Sequence, residues 1–169
     1  MTALDVLTEG FERVRDGVRE AADGLSAQQL EARPDEDANS IGWLLWHTSR
    51  VQDAQMAALA ESDEVWVTQG WADSFGLSLD PSDTGYGHDH DQVAAVRGIT
   101  PEQLVGYQDA TFERTRAILA GLSEADLARV IDESYDPPVT VGVRVLSILA
   151  DDLEHVGQAA YVRGIVERG

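Results

Sequence analysis

Two histidines of this sequence interrupt the apolar faces of two segments that have helical periodicity. His47 lies inside the apolar stripe of residues 41–59, and His155 lies inside the stripe of residues 140–167. Asp151 lies at the margin of the second stripe. Because an unpaired polar group is costly to bury, two imidazoles and a carboxylate directed inward from two helices require a ligand or internal partners.

The spacing of these three residues is typical of a metal site. Asp151 and His155 are four residues apart, hence about 40° apart around a helix and one turn along it. Helices present two ligands to one ion at this spacing, and His47 would complete a three-ligand site with open positions, as in catalytic centres. Two imidazoles and one carboxylate suit zinc, iron(II) or nickel. From the residues alone an alternative stays open, in which both histidines are hydrogen-bonded core residues and Asp151 pairs with an arginine.

Arg50 and Asp152 also fall inside the two stripes and are the candidate catalytic residues. The favoured interpretation is a buried ion pair between them. In the alternatives, Arg50 receives a substrate carboxylate in a bidentate contact, or Asp152 replaces Asp151 as a metal ligand. His88 and His90, two residues apart in a glycine-containing stretch, favour cap or turn roles, with lining of the pocket as the minor alternative.

Helical periodicity predicts the elements that position these side chains. Four long amphipathic helices are expected, at residues 3–24, 41–59, 101–119 and 140–167. Ser40 and Thr100 are suitable N-caps for the second and third. The connection between these two helices is rich in glycine and long enough to carry short helices of its own, one of them at residues 90–97. The sequence therefore predicts an all-α four-helix bundle that forms a single domain over residues 1–169.

Two further segments are short. Residues 123–126 begin a short helix that the prolines at 137 and 138 end. The only β-branched run, VTVGVRV, continues into helical periodicity and is assigned to the last helix.

Composition excludes several classes of function. The formal net charge is −19, so the chain repels nucleic acids and anionic membranes at long range. All twelve basic residues are arginine, which excludes Schiff-base chemistry on lysine. The sequence has no cysteine and hence no thiolate ligand or cysteine nucleophile. The first residues do not resemble a signal peptide and no apolar run reaches the length of a membrane span, so we expect a cytoplasmic protein.

Three stretches together resemble the DinB-like (YfiT-like) superfamily of bacterial four-helix metalloproteins. They are SIGWLLWHTSRVQD, FGLSLDPSDTGYGHDHDQVAAVRG and VTVGVRVLSILADDLEHVGQAAYVRG. The resemblance implies a metal triad of one histidine on the second helix and two residues four apart on the last, here His47, Asp151 and His155. Asp151 departs from the pattern, since histidine or glutamate is commoner there. Members are often dimers, so a homodimer is a further expectation.

The resemblance also implies a chemistry, because the superfamily includes mycothiol-dependent maleylpyruvate isomerases and thiol S-transferases. The first hypothesis is a metal-dependent transferase or isomerase that acts on a small electrophile with a low-molecular-weight thiol such as mycothiol, with zinc as the expected metal. A chain without cysteine fits a nucleophile that a cofactor supplies. The second hypothesis is a metal-hydroxide hydrolase with Asp152 as general base. The third is a non-catalytic, stress-related binding protein with an empty site.

Overall fold

Four long helices make up most of the computed structural model, which describes residues 1–168. They are α1 (Ala3–Ala22), α3 (Ile41–Leu59), α7 (Pro101–Ala120) and α8 (Val141–Val166). Shorter elements connect them: α2 (Ala27–Glu31), α4 (Val65–Thr68), α5 (Trp71–Phe75), α6 (His90–Ala95), a 3-10 helix (Glu124–Ala128), and the strands β1 (Val130–Asp132) and β2 (Val139–Thr140). The predicted all-α fold is confirmed, and the connection between α3 and α7 carries three short helices.

Each long helix begins at a hydroxyl side chain that caps it. Thr2, Ser40, Thr100 and Thr140 each accept a hydrogen bond from the backbone N–H three residues further on. Such caps satisfy donors that the first turn of a helix leaves unpaired. The predicted starts of the second and third long helices at Ser40 and Thr100 are therefore confirmed at the level of side-chain hydrogen bonds.

The long helices form a ring in which each packs against two neighbours. α3 contacts α7 and α8, and α1 contacts the same two helices from the other side. Helices α3 and α8 run in opposite directions, because the start of α3 and the second half of α8 meet at one end while the end of α3 meets the start of α8. This arrangement is a four-helix bundle.

The core has two apolar clusters with a polar layer between them. One cluster contains the tryptophans, and the other is built around Phe11, Phe112 and Leu119. Between the two clusters, Ser49 donates to Gln108, Gln108 donates to Gln52, and Gln52 donates to Thr115, over 2.7 to 2.8 Å. These side chains are fully buried, so their mutual hydrogen bonds offset the cost of removing them from water.

The structure contains two short features that the sequence pattern does not reveal. α2 forms between α1 and α3, and β1 pairs with β2 in an antiparallel ladder just before α8 begins. Strands of two and three residues are too short to show a period, which is why the β-branched run seemed to belong wholly to the last helix. In residues 1–168, no helix combines the length and the hydropathy needed to cross a bilayer.

Candidate metal centre

Helices α3 and α8 bring the three predicted ligands together. His47 comes from the first half of α3, and Asp151 and His155 lie one turn apart in the middle of α8. One donor atom of each residue lies within 4.8 Å of a donor atom of each of the other two. The His155 Nε2 atom is 3.6 Å from Asp151 Oδ1. Two imidazoles and a carboxylate thus converge on one point, as the spacing predicted.

Both imidazoles are oriented by hydrogen bonds at Nδ1. The Nδ1–H of His47 donates to the backbone carbonyl of Thr84 over 2.5 Å, and that of His155 donates to Oε1 of Gln158 over 3.0 Å. The Thr84 carbonyl can only accept, so it fixes the tautomer of His47 that carries its proton on Nδ1, and Gln158 Oε1 is placed to accept from the same tautomer of His155. The Nε2 lone pair of each ring is then free for a metal ion, as is usual where a second acceptor holds a ligating histidine.

Trp43 forms the apolar wall of the centre. It stacks on His47 at 4.6 Å between ring centroids and 14° between planes, and it meets His155 edge-on at 6.3 Å. The two imidazoles lie 4.8 Å apart at 78°. Burial lowers the pKa of His47, although the hydrogen bond to Thr84 opposes this shift. The ring is therefore neutral at pH 7, which is the form that binds metal.

The connection between α3 and α7 approaches His47 very closely at Gly85. A Cβ atom at this position would lie 2.9 Å from His47 Nδ1, and the residue adopts a φ of +88°. Glycine alone tolerates both the close approach and the left-handed backbone. This glycine allows the preceding carbonyl, that of Thr84, to reach the imidazole.

Arg50, one turn after His47 on α3, holds the same connection in place. Its guanidinium donates to Glu64 over 2.5 Å, to the Tyr107 hydroxyl over 3.2 Å and to the carbonyls of Asp83 and Pro81 over 3.1 and 3.3 Å. The side chain is fully buried. The favoured pairing of Arg50 with Asp152 does not form, because Glu64 and the connection occupy the donors of Arg50.

Asp152 is fully buried on α8, and its carboxyl has no hydrogen-bond partner among the described residues. Burial, together with the adjacent charge of Asp151, raises the pKa of Asp152 well above its usual range. Burial therefore favours the protonated form of this carboxyl. The group of converging donor atoms includes Asp151 and not Asp152, so the structure favours Asp151 as the carboxylate ligand.

The two histidines of the connection lie outside the ligand cluster. His88 accepts a hydrogen bond from the Trp43 indole N–H over 3.0 Å and contacts the Asp83 carboxylate at 2.9 Å. His90 is exposed and lies 3.4 Å from Asp37. His88 thus supports the tryptophan that covers the centre, and His90 opens α6 next to its cap, Asp89.

A cavity of about 350 Å³ opens beside the centre. His47, Asp151, Thr84 and the exposed Tyr86 line its metal side, and Val51, Ala54, Gln55 and Ser147 line the rest. A ligand in this cavity would reach the open side of the cluster. The arrangement therefore provides three donor atoms, a water-excluding indole and access for a small molecule.

Sequence reasoning missed the residues that support the ligands. Gln158 follows His155 by three residues on one helix, a spacing at which side chains are neighbours, so a signal for it was present. Thr84 acts through its backbone carbonyl, which no residue type reveals. Trp43 precedes His47 by four residues on one helix, a spacing at which side chains are also neighbours, so a signal for it was present as well.

Comparisons with known proteins agree with this architecture. The model of the DinB superfamily matches residues 10–159. A solved structure of a conserved protein from Enterococcus faecalis is similar with a TM-score of 0.93 and 31% identity, over 100% of this chain and 99% of that one. Among curated protein sequences, no significant match is found.

Proposed function

We propose that this chain, which belongs to the DinB superfamily, binds one divalent metal ion and conjugates the thiol of a small cofactor to an electrophile. The observation that carries the proposal is the convergence of His47, Asp151 and His155 with both Nδ1 atoms already engaged. Zinc is the metal that this donor set suits best, and nickel or iron(II) are alternatives.

The three donor residues suit a divalent metal ion at a catalytic site. Two imidazoles and one carboxylate leave at least one coordination position open, which is the pattern of a catalytic rather than a structural zinc site. A divalent ion held there would lower the pKa of a coordinated thiol and so supply thiolate at neutral pH. His47, Asp151 and His155 hold the ion, and Trp43 excludes water from one side.

The chain itself supplies no competing thiol or lysine amine, because it has neither cysteine nor lysine. In the overall reaction the thiol sulfur forms a bond to the electrophilic carbon. The leaving group departs with its electron pair, and the thiol proton passes to solvent. Mycothiol is the thiol that the family resemblance suggests. An isomerase would instead add the thiolate and a proton across a carbon–carbon double bond, allow rotation about the resulting single bond, and then eliminate the thiol and the proton again.

The hydrolase alternative requires Asp152 as general base, but this carboxyl is fully buried and does not line the cavity beside the centre. The non-catalytic alternative predicts a site that does not bind metal. The experiment below separates these alternatives.

Protein loaded with zinc is assayed for conjugation of mycothiol, or of glutathione, to chlorodinitrobenzene. We expect turnover that falls about a hundredfold or more in His47→Ala, with an unchanged circular dichroism spectrum. His90→Ala removes an exposed histidine outside the cluster and is the matched control. The proposal fails if metal-loaded protein turns over no thiol. Ester cleavage without thiol would indicate the hydrolase, and well below one equivalent of bound metal would indicate the non-catalytic protein.

A further inference from the structure

We propose that the groove between α3 and α8 has a second anchor, formed by Arg144 and Arg129, which binds a carboxylate at the far end of an elongated thiol. The inference rests on the proposed function, because the thiol end of the same molecule occupies the metal centre. It replaces mycothiol, which carries no carboxylate, by a different chemical class of ligand, a thiol with a single carboxylate remote from the sulfur.

Two cavities along the groove meet at one residue. The cavity beside the metal centre has Gln55 in its wall, and so does a second cavity of about 350 Å³ nearer the start of α8. Arg129 and Arg144 line that second cavity. The two cavities are therefore neighbours, and an extended molecule that occupied both would reach from the metal ligands to the arginines.

The residues along α8 give the length of this molecule. Arg144, Ser147 and Asp151 line the groove at spacings of three and four, so they share one face of the helix. Arg144 precedes Asp151 by seven residues, which places their Cα atoms about 10 Å apart along the axis. On the α3 side, the small residues Ala54 and Ala58 share the wall with the larger Val51, Gln55 and Leu59.

The two arginines are available for a ligand. Arg144 approaches Asp132 only at 4.0 Å, without a hydrogen bond, and its side chain is 34% exposed. Arg129 is exposed, and its side chain makes no ion pair with any described residue. Guanidinium groups bind carboxylates through paired N–H donors. Two such groups facing one cavity are notable in a chain of net charge −19.

The charge of the cavity limits the anion. Glu61 and Asp132 also line it, so its fixed charges balance. Because the chain as a whole carries a net charge of −19, it repels a dianion more strongly than a single carboxylate. Arg50, the arginine that the sequence favoured for an anion, is fully buried and bound to Glu64 and the connection. Arg144 and Arg129 take the role that Arg50 cannot perform.

The test measures thiol binding to cobalt-loaded protein, in which a bound thiolate gives a charge-transfer absorption. Mercaptooctanoate and mercaptooctanol have similar lengths and differ in the terminal carboxylate. We expect the acid to bind about tenfold more tightly than the alcohol, because hydrogen bonds to charged groups contribute about 1.5–3 kcal/mol. This ratio should fall below about threefold in Arg144→Gln and in Arg129→Gln.

Two controls make the comparison specific. Mercaptopropionate is too short to reach the arginines, so its affinity should not depend on Arg144→Gln. Arg97→Gln changes the net charge equally at an exposed arginine outside the groove and should leave the ratio unchanged. Since Arg129 lies outside the long helices, its variant tests the anchor even where Arg144→Gln impairs folding.

The outcomes separate this inference from the proposed function. Equal affinity for the acid and the alcohol in the unmodified protein, with the absorption band present for both, overturns the arginine anchor alone. A ratio that survives both arginine substitutions does the same. If no thiol produces the band in cobalt-loaded protein, both proposals fail together.

Discussion

His47 and His155 are oriented by acceptors of different kinds. The acceptor for His47 is a backbone carbonyl in the connection, 2.5 Å away, and depends on the folding of a whole segment. The acceptor for His155 is the side chain of Gln158, which is exposed on α8. The orientation of His155 can therefore be tested by one substitution that disturbs no core packing.

Replacing Gln158 by alanine should weaken metal binding while leaving the fold intact. Without an acceptor, the imidazole of His155 loses its fixed tautomer and orientation, and loss of such a partner costs about tenfold in affinity. Zinc affinity is measured by competition with a chromophoric chelator. Gln158→Glu, which keeps an acceptor, should retain the affinity, and Gln28→Ala is a control at an exposed glutamine. Equal zinc affinity in Gln158→Ala and the unmodified protein would contradict the assigned orientation.

At the residue scale, the sequence correctly predicted the positions of side chains that lie on long helices. His47, Asp151 and His155 lie on helices, so their spacing already fixes their directions. The predicted partner of Arg50, Asp152, was wrong. The actual partners are Glu64 and the carbonyls of Pro81 and Asp83, which lie on a connection whose sequence has no helical periodicity. Arg50 and Asp152 point inward from facing helices, which suggested an ion pair. In the structure the hydrogen-bond donors of Arg50 are instead occupied by the connection.

At the scale of elements, side chains of α3 hold the connection between α3 and α7 in place through hydrogen bonds. Trp43, His47 and Arg50 lie at successive turns of α3, and each contacts the segment 81–88. Asp53, one turn further on, accepts hydrogen bonds from the backbone N–H groups of Val65 and Trp66 and so caps α4 from another helix. The sequence could predict that the long connection carries short helices, but their positions depend on these contacts with α3.

Replacing Arg50 by lysine should loosen the connection without unfolding α3. Lysine keeps the charge but cannot reach both carbonyls of the connection, and leaving buried acceptors unpaired costs about 1–3 kcal/mol each. We expect a lower free energy of unfolding in urea and faster amide exchange within residues 81–88. Arg116→Lys, at an exposed arginine paired with Glu113, is the control. Unchanged stability with a higher KM would instead assign Arg50 to substrate binding.

At the scale of the whole molecule, two apolar clusters are separated by the polar layer of Ser49, Gln52, Gln108 and Thr115. Trp43, Trp46 and Trp66 belong to one cluster and Trp71 packs against it, so indole fluorescence reports on that half alone. All four long helices nevertheless contribute side chains to both clusters. Because each helix runs through both halves, we expect the halves to unfold together.

Urea unfolding curves from fluorescence and from far-ultraviolet circular dichroism should therefore coincide. A sharper form of the test uses Leu119→Ala, which opens a cavity in the cluster without tryptophan and should cost about 2–5 kcal/mol. If the molecule is one cooperative unit, this substitution lowers the fluorescence midpoint as much as the midpoint from circular dichroism. Leu146→Ala, at an exposed leucine of α8, should change both by little. A fluorescence midpoint that does not respond to Leu119→Ala would show that the polar layer divides the bundle into two independent halves.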